Sequence, residues 1–486
     1  MVMTPAGSIM PGVRKETRLN RFDVIVIGAG SAGYAAARTL GARGVKVGLI
    51  DKGPLGGLCI LKGCMPSKTL LRSSEVLQLI READELGLRV SGVEPDFPAI
   101  MARRAQLVKG FQDYRVDGIH NAPNVTLIMG KARFVDSHAV EVEGVRYEAQ
   151  KFIVTTGSTP TVPDVPGLRE AGFITSDEAL ELPEAPKSMV VLGGGVIALE
   201  LGQFYARLGT KVTMLIRSGH ILSQEDDDVR EGLEGYLREE GMEIIPYATP
   251  SRVEVKNGKK IVYAKIGESE TPIEVDEIFV ALGRRPNLAP LDLSAAGLDT
   301  VDGLIPVDAG MRSPHRDLFA AGDCVGDYNL VHVAIYQGEI AAHNVLADLR
   351  GGAPREADYR IVPYAIFTDP NFARVGISER EAEKLGIPVL TGKYEFAELG
   401  KAECMGKGAM KGFVKLIASP DTGEILGAQI LGPEGADLIH ELIVAMEFRC
   451  TVERLMVIPH LHPTLAEIIT YPAEEIAEKR LELVAR

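Results

Sequence analysis

The stretch FDVIVIGAGSAGYAAARTLGARGVKVGLIDKG, residues 22–53, carries the clearest structural signal in the chain. It opens with an apolar run typical of a buried strand, and a second apolar run ends at Asp51. Between the two runs, three glycines open an alanine-rich helical segment: Gly28, Gly30 and Gly33. Such glycines allow a tight turn, the approach of a pyrophosphate and close packing of helix on strand, while the acid accepts hydrogen bonds from a ribose. The stretch predicts a dinucleotide-binding fold.

The pattern returns in SMVVLGGGVIALELGQFYARLGTKVTMLIRSGH, residues 188–220. Here Gly193, Gly195 and Ala198 lie between a strand and a helix, so the chain carries two dinucleotide folds. The second strand ends in Ile216 followed by Arg217, where the first has an acid. A guanidinium accepts the 2′-phosphate of NADP, so NADP is favoured over NAD. The alternative, that Arg217 is only a solvated surface residue, stays open.

The composition indicates a globular chain of two to four domains, since it has 486 residues of which 46% are hydrophobic and 25% charged. A net charge of -14 repels nucleic acid and anionic membranes, so neither is expected as a partner. The first twenty residues lack the apolar core of a secretory signal and predict a loose tail. Apolar runs long enough to span a bilayer are missing, and we expect a cytoplasmic protein.

Two of the five cysteines lie close together in GGLCILKGC, residues 56–64. Three uses are open: a zinc site, an inert core position or a redox disulfide. Zinc needs about four ligands, and no second pair follows at metal spacing, so no metal site is expected. In an ideal helix these Cα atoms would be about 8.7 Å apart, beyond the disulfide limit of about 7 Å. The turn must therefore be distorted, which Gly63 permits, and the helix that follows can stabilise a thiolate at its start.

The segment GGLCILKGCMPSK, residues 56–68, resembles the redox-active segment of the FAD-dependent pyridine nucleotide-disulfide oxidoreductases. This family includes dihydrolipoamide dehydrogenase, glutathione reductase and mercuric reductase. Further motifs follow in the family order: TTGSTP at 155–160, ALGRRPN at 281–287 with Gly283, AAGDC at 320–324 and HPTLAE at 462–467. The resemblance implies FAD on the first fold, a nicotinamide on the second and a C-terminal domain that forms a homodimer.

The resemblance also implies residue roles in a Cys59–Cys64 redox disulfide. Cys64 would form the thiolate next to the flavin, and Cys59 would exchange with the substrate. Lys68 would lie near flavin N5 and pair with Glu200. Asp323 would bind the ribityl chain of FAD, with the backbone of Val331 close to the flavin ring.

His462 and Glu467 would supply a base and the carboxylate that orients it. Disulfide exchange needs a thiolate, so a base must take a proton from the incoming dithiol. A carboxylate on the other imidazole nitrogen fixes the tautomer and favours the imidazolium. His460 is a weaker candidate for the same task.

The chain departs from the family pattern between the cysteines, where Leu61 and Lys62 replace an asparagine and an apolar residue. Lys62 could place positive charge near the disulfide. HPTLAE and PSK resemble dihydrolipoamide dehydrogenase, whereas the Ile-Arg strand end resembles glutathione reductase. The expected substrate is a small-molecule or lipoyl-carrier dithiol or disulfide. The alternatives are an NADPH-dependent reductase like glutathione or mercuric reductase, and a non-catalytic flavin-binding sensor or scaffold.

The predicted fold class is α/β, with two Rossmann-like dinucleotide-binding domains and a C-terminal α+β dimerisation domain. In the C-terminal part, GFVKLIA and GEILGAQIL predict strands, and residues 436–448 predict a helix. The expected organisation is a tail at 1–20, the first part of the FAD domain at 21–160, the NAD(P) domain at 161–284, the second part of the FAD domain at 285–356 and the dimerisation domain at 357–486.

Overall fold

The structure, a computed structural model, describes residues 20–326 and 328–485. The tail predicted for residues 1–20 therefore lies outside the described residues, apart from Asn20. Within the described part, no helix combines the length and the apolar character that crossing a membrane requires.

The strands are numbered in chain order: β1 (Arg21–Ile27), β2 (Val47–Asp51), β3 (Val125–Met129), β4 (Ala132–Asp136), β5 (Ala139–Val142), β6 (Val145–Val154), β7 (Ser158–Pro160), β8 (Ser188–Leu192), β9 (Lys211–Leu215), β10 (Glu243–Ile245), β11 (Ala248–Lys256), β12 (Lys259–Ile266), β13 (Ser269–Val275), β14 (Glu277–Val280), β15 (Arg284–Pro286), β16 (Leu318–Ala320), β17 (Tyr364–Ile366), β18 (Asn371–Gly376), β19 (Leu390–Glu395), β20 (Phe413–Ala418) and β21 (Ile425–Gly432).

The α-helices are numbered in the same way: α1 (Ser31–Ala42), α2 (Gly57–Leu61), α3 (Cys64–Arg81), α4 (Phe97–His120), α5 (Leu168–Ala171), α6 (Ser176–Ala179), α7 (Val196–Arg207), α8 (Asp227–Glu239), α9 (Val331–Arg350), α10 (Glu379–Leu385), α11 (Gly400–Met405), α12 (Gly435–Glu447), α13 (Val452–Met456) and α14 (Thr470–Val484).

The first sheet has the order β3-β2-β1-β6-β5-β4, and β16 also pairs with β6. Strands β1, β2, β3, β16 and the second half of β6 run parallel, whereas β4 and β5 form an antiparallel extension. Strand β1 is apolar on both faces because both faces are covered. Val24 and Val26 pack with residues of α1 and α9, whereas Ile25 and Ile27 belong to a second apolar cluster.

The second dinucleotide fold is a parallel sheet of order β10-β9-β8-β14. The antiparallel sheet β11-β12-β13 shares an apolar cluster with it. The C-terminal sheet is antiparallel, with the order β17-β18-β21-β20-β19. Helices α12 and α14 pack on it. Two parallel Rossmann-like sheets and a C-terminal α+β unit are the predicted fold class, which is confirmed. Strands β20 and β21 and helix α12 lie where the sequence predicts them.

A buried lysine joins the second fold to the C-terminal sheet. Lys415 Nζ lies 3.0 Å from Asp226, 2.9 Å from Asp228 and 2.7 Å from Glu379. These three carboxylates are close enough together to hold a metal ion. Because the ammonium group of Lys415 lies among them, the cluster already has its cation and acts as a structural link.

Candidate active site

The first glycine turn requires glycine at two positions and leaves the third open. Gly28 has φ +106°, and a Cβ there would lie 2.3 Å from the carbonyl oxygen of Thr155. A Cβ on Gly33 would lie 1.8 Å from the carbonyl oxygen of Gly28. At Gly30 a Cβ would meet no atom within 4 Å. The turn is thus packed on its inner side and open at the start of α1, a shape that fits the pyrophosphate of a dinucleotide.

Two aspartates that the sequence singles out accept hydrogen bonds in the structure. Asp51, at the end of β2, accepts hydrogen bonds of 2.7 Å from the amides of Ala29 and Gly53. Its carboxylate therefore holds the turn in place beside the position where a ribose would bind. Asp323 accepts a hydrogen bond of 2.5 Å from the Ser158 hydroxyl. Val331 is the first residue of α9.

The second glycine turn has the same design. Gly193 has φ +124°, and a Cβ there would lie 2.5 Å from the carbonyl oxygen of Ala281, whereas Gly195 faces open space. Ala198 is completely buried within α7, so the close packing of this helix on the sheet has room for a methyl group at this position.

The strand end of the second fold differs from that of the first. Strand β9 ends at Leu215, one residue earlier than the sequence predicts, and Ile216 after it is buried. Arg217 is exposed. Gly283, with φ +90°, follows β14.

The helix breaks between Cys59 and Cys64, as the sequence predicts. Helix α2 ends at Leu61, and α3 begins at Cys64. A Cβ on Gly63 would lie 2.9 Å from the carbonyl oxygen of Leu58, so the connection is tight. Both cysteines are free thiols in this structure.

The two thiols have opposite protonation properties. The pKa of Cys64 is lowered to about 7, first because the Cys59 thiol donates a hydrogen bond to it and then by the charge of Lys68, against the effect of burial. The pKa of Cys59 is raised by that same hydrogen bond and by burial, and the charge of Arg115 partly opposes the rise. A thiolate therefore forms on Cys64 while Cys59 keeps its proton.

Lys68 and Glu200 form an ion pair between the two dinucleotide folds. Lys68 Nζ lies 3.0 Å and 2.8 Å from the two carboxylate oxygens of Glu200. Glu200, in α7, is only 3% exposed and also accepts a 2.9 Å hydrogen bond from the amide of Phe367. One carboxylate thus joins α3, the second fold and the C-terminal part at the cysteine pair.

Arg115 is a site residue that the sequence reasoning missed. Its guanidinium carbon lies 4.4 Å from the ring centroid of Tyr34, and that of Arg38 lies 5.8 Å from the same ring. Arg115 Nη1 is buried and has no hydrogen-bond partner among the described residues. Arg115 lies 56 residues along the chain from Cys59 on a helix with a weak apolar pattern, so no local signal could connect the two.

The ammonium group of Lys62 is paired with groups outside the redox turn. Its Nζ lies 2.5 Å from Glu181 Oε2 and 3.4 Å from the carbonyl oxygen of Asp177. Glu181 follows α6, in the segment that leads into the second fold. The sequence reasoning also missed Glu181, because nothing in the local pattern identifies an acid 119 residues further on as the partner of Lys62.

The two histidines of the C-terminal motif differ in their surroundings. His462 Nδ1 lies 2.8 Å from Glu467 Oε2, and the imidazole side chain is 81% exposed. His460 uses both ring nitrogens, with Glu441 at 2.6 Å and the carbonyl oxygen of Ile458 at 2.9 Å. Only His462 of this pair offers a ring nitrogen for proton transfer.

An apolar groove of about 980 Å³ lies beside this motif, lined by residues of α12, α13 and the loop before the motif. Phe448 is 80% exposed and Leu461 77% exposed. The remaining cysteines take no part in the pair. Cys324 is buried, which raises its pKa to about 12, Cys404 is exposed and Cys450 is half-buried.

Comparison with known proteins gives consistent results over most of the described chain. Residues 22–338 match the family described as pyridine nucleotide-disulphide oxidoreductase, and residues 362–473 match the dimerisation domain of that family. A dihydrolipoyl dehydrogenase of Geobacillus stearothermophilus is 36% identical over 459 residues, covering 93% of this chain and 95% of that protein. A mercuric reductase of Lysinibacillus sphaericus is 34% identical over 450 residues, covering 92% and 81%. The HOCl-induced flavoprotein disulfide reductase RclA from Escherichia coli has a TM-score of 0.83 at 26% identity, covering 93% and 99%.

Proposed function

Because the chain belongs to the pyridine nucleotide-disulphide oxidoreductases, a family of FAD-dependent enzymes, we propose that Cys59 and Cys64 are the redox pair of this oxidoreductase. The observation that supports this assignment best is the place of the two thiols, which lie on either side of the break between α2 and α3, close to the Lys68–Glu200 ion pair. A thiolate at the start of a helix, beside a dinucleotide turn, is the form that carries electrons to or from a flavin.

The residues of the first fold fit FAD. The open side of the glycine turn would take its pyrophosphate, Asp51 the adenosine ribose and Asp323 the ribityl chain, with Val331 at the flavin ring. When bound, FAD supplies a two-electron carrier between the nicotinamide and the disulfide. Lys68 would hold positive charge at the flavin edge, and Glu200 would fix its ammonium group in place.

The exchange with substrate uses Cys59. In the direction of dithiol oxidation, a substrate thiolate attacks the sulfur of Cys59, the Cys59–Cys64 bond breaks, and Cys64 leaves as a thiolate. The second substrate thiol then attacks the substrate sulfur of the mixed disulfide, which releases the oxidised substrate and Cys59 as a thiol. His462 takes the proton of the attacking thiol, and Glu467 stabilises the imidazolium.

We further propose a homodimer in which His462 acts on the cysteine pair of the partner chain. The exposed imidazole, the apolar groove beside it and the match to the dimerisation domain support this. Two equivalent surfaces related by a two-fold axis would give two equivalent sites. A cytoplasmic location, expected from the sequence, belongs to the same proposal.

Mixing subunits tests the shared site. Cys59→Ser chains and His462→Ala chains should each be nearly inactive as homodimers. If the site is shared, each heterodimer has one site with both lesions and one with neither, and up to half of the sites recover. Native mass spectrometry confirms that subunits have exchanged. Exchange without recovered activity shows that Cys59 and His462 of one chain serve one site.

For the nicotinamide, the proposal favours NADP. Arg217 is exposed and directly follows Ile216, which stands where the first fold has Asp51, so a 2′-phosphate would meet a guanidinium rather than an acid. Kinetics with NADPH and NADH test this in the wild type and in Arg217→Glu. A preference for NADH of tenfold or more in the wild type, about 1.4 kcal/mol, contradicts it.

For the substrate, the proposal favours a dithiol or disulfide of the lipoyl type, because the His462–Glu467 pair provides the proton acceptor that dithiol oxidation needs. Reduction of another low-molecular-weight disulfide or of mercuric ion is the second candidate, supported by Arg217 and by the relative named mercuric reductase. Assays with lipoamide, oxidised glutathione and mercuric ion, in both directions, separate the two.

Anaerobic titration with the reduced nicotinamide tests the central proposal. The wild type should develop long-wavelength absorbance from the Cys64 thiolate beside the flavin, and Cys64→Ser should not. A wild type that binds FAD but never develops this absorbance contradicts the redox-pair assignment and favours a flavin-binding sensor or scaffold.

A further inference from the structure

Lys62 lies between the two redox cysteines, yet its side chain reaches out of the turn. It directly follows α2, and its amide donates a 2.9 Å hydrogen bond to the carbonyl oxygen of Leu58. Its ammonium group contacts Glu181 and the carbonyl oxygen of Asp177. The backbone of the tight connection is therefore tied, through one side chain, to the segment before the second fold.

The partners of Lys62 are themselves held in place. Glu181 lies 3.7 Å from Arg104, a nearly buried arginine of α4. Asp177 lies 3.8 Å from Arg284, which donates a 2.9 Å hydrogen bond to the hydroxyl of Ser158. Ser158 in turn donates to Asp323. A continuous chain of polar contacts thus runs from the redox turn to the aspartate proposed to bind FAD.

Other groups supply the charges at the thiols. Cys64 faces the thiol of Cys59 and the charges of Lys68 and Glu200. Cys59 faces Cys64 and Arg115. The charge of Lys62 is directed instead to the acids of the connecting segment, where it favours the ionised form of Asp177.

We propose that Lys62 is a positioning residue that, by pairing with Glu181, holds the tight connection between α2 and α3 in the geometry that places Cys59 beside Cys64. This inference rests on the proposed function of the two cysteines. Without the pair, the end of α2 loses its tie to the connecting segment, and the contact between the thiols loosens. The Cys64 thiolate then loses the hydrogen bond that stabilises it most.

The experiment uses the FAD-loaded, two-electron-reduced enzyme and records the long-wavelength absorbance from pH 5 to pH 9. Lys62→Met and Glu181→Gln each remove the pair from one side, and Glu181→Gln leaves every residue of the turn unchanged. Lys62→Arg keeps the pair. Lys109→Met removes an ion pair at the surface of α4 and is the matched control.

Both Lys62→Met and Glu181→Gln should move the midpoint to higher pH by at least about half a unit, since each weakens a hydrogen bond to the thiolate. Lys62→Arg and Lys109→Met should keep the wild-type midpoint. A direct effect of the Lys62 charge on the thiolate would instead give opposite shifts, because Glu181→Gln frees that charge. Opposite shifts, or no shift in either variant, overturn the proposal.

Two controls keep the results separable. Thermal unfolding and flavin content show whether a variant is folded. If Lys62→Met fails to fold, the pH midpoint of the absorbance in folded Glu181→Gln still tests the role of the Lys62–Glu181 pair. If the wild type itself lacks the long-wavelength absorbance, the proposed function fails. If the wild type has it and the variants match the wild type, only the role of Lys62 fails.

Discussion

Cys59 and Cys64 are five residues apart in the chain and differ in almost everything that matters for their chemistry. Cys64 begins a long helix, accepts a hydrogen bond from its partner and faces Lys68, and its pKa falls to about 7. Cys59 lies in a short helix, donates that hydrogen bond, and its pKa rises. Two identical side chains thus become chemically different because two residues interrupt the helix between them and because distant parts of the chain give them different neighbours.

Replacement of each cysteine in turn should have the largest effect on activity. Cys59→Ser and Cys64→Ser should each lower disulfide turnover by about 10³-fold or more, because neither can form the internal disulfide. Their spectra should differ: Cys59→Ser keeps a thiolate at position 64 and its long-wavelength absorbance, whereas Cys64→Ser loses both. Identical spectra would contradict the assignment of unequal roles.

His462→Ala tests the exchange of Cys59 with the substrate. It should lower turnover with a dithiol by about 10²- to 10⁴-fold, since a positioned base contributes that much. Reduction of the enzyme by the nicotinamide, followed by stopped-flow absorbance, should be unchanged because that step does not involve the substrate dithiol. His460→Asn is the control. If His460→Asn lost as much turnover as His462→Ala, the assignment of His462 as the base would be wrong.

Lys68→Met tests how neighbouring charges set the pKa of Cys64. The positive charge lowers the pKa of Cys64, so the thiolate forms above about pH 7 in the wild type. Removing the charge should move the midpoint of the long-wavelength absorbance upward by about 1 pH unit. Glu200→Gln should move it downward, because the Glu200 carboxylate raises the pKa of Cys64. Shifts of the same sign in both variants would contradict this electrostatic account.

Arg115→Gln should have the smallest effect of these variants, a change in the reactivity of Cys59. The Arg115 charge partly opposes the rise in the pKa of Cys59. Without it, alkylation of reduced Cys59 by iodoacetamide should slow by about 3-fold, since the thiolate is the reactive form. Arg38→Gln, which removes an arginine from the same Tyr34 ring, is the control. Equal slowing in both variants would mean that the ring, rather than the charge, sets the reactivity.

Much of the fold could be predicted because its signals are local. The two glycine turns, the strand that ends at Asp51 and the helix break near Gly63 depend on residues within a short window, and the structure has them in place. Asp51 in particular holds the turn with two hydrogen bonds, which a motif of one strand, one turn and one helix specifies without further context.

The candidate site could be predicted only where a motif names the residue. Lys68 and His462 lie in motifs, and the structure gives them the carboxylates that the resemblance implies. Glu181 and Arg115 belong to no motif, and their contacts depend on how separate helices pack. The same limit explains Lys62: the sequence shows a cation next to the cysteines, but only the packing shows that Glu181 takes up its charge.

The carboxylate of Glu200 has a consequence for how the enzyme is made. It joins Lys68 to the amide of Phe367, so the surroundings of the cysteine pair are complete only after the ribosome has passed both positions. Translation at about 5–20 residues per second needs roughly 15–60 s to cover the chain between Lys68 and Phe367. During that interval the nascent chain carries two close thiols that lack their final neighbours. A mixed disulfide between one of these thiols and a small thiol compound would block the cysteine pair before the site has formed.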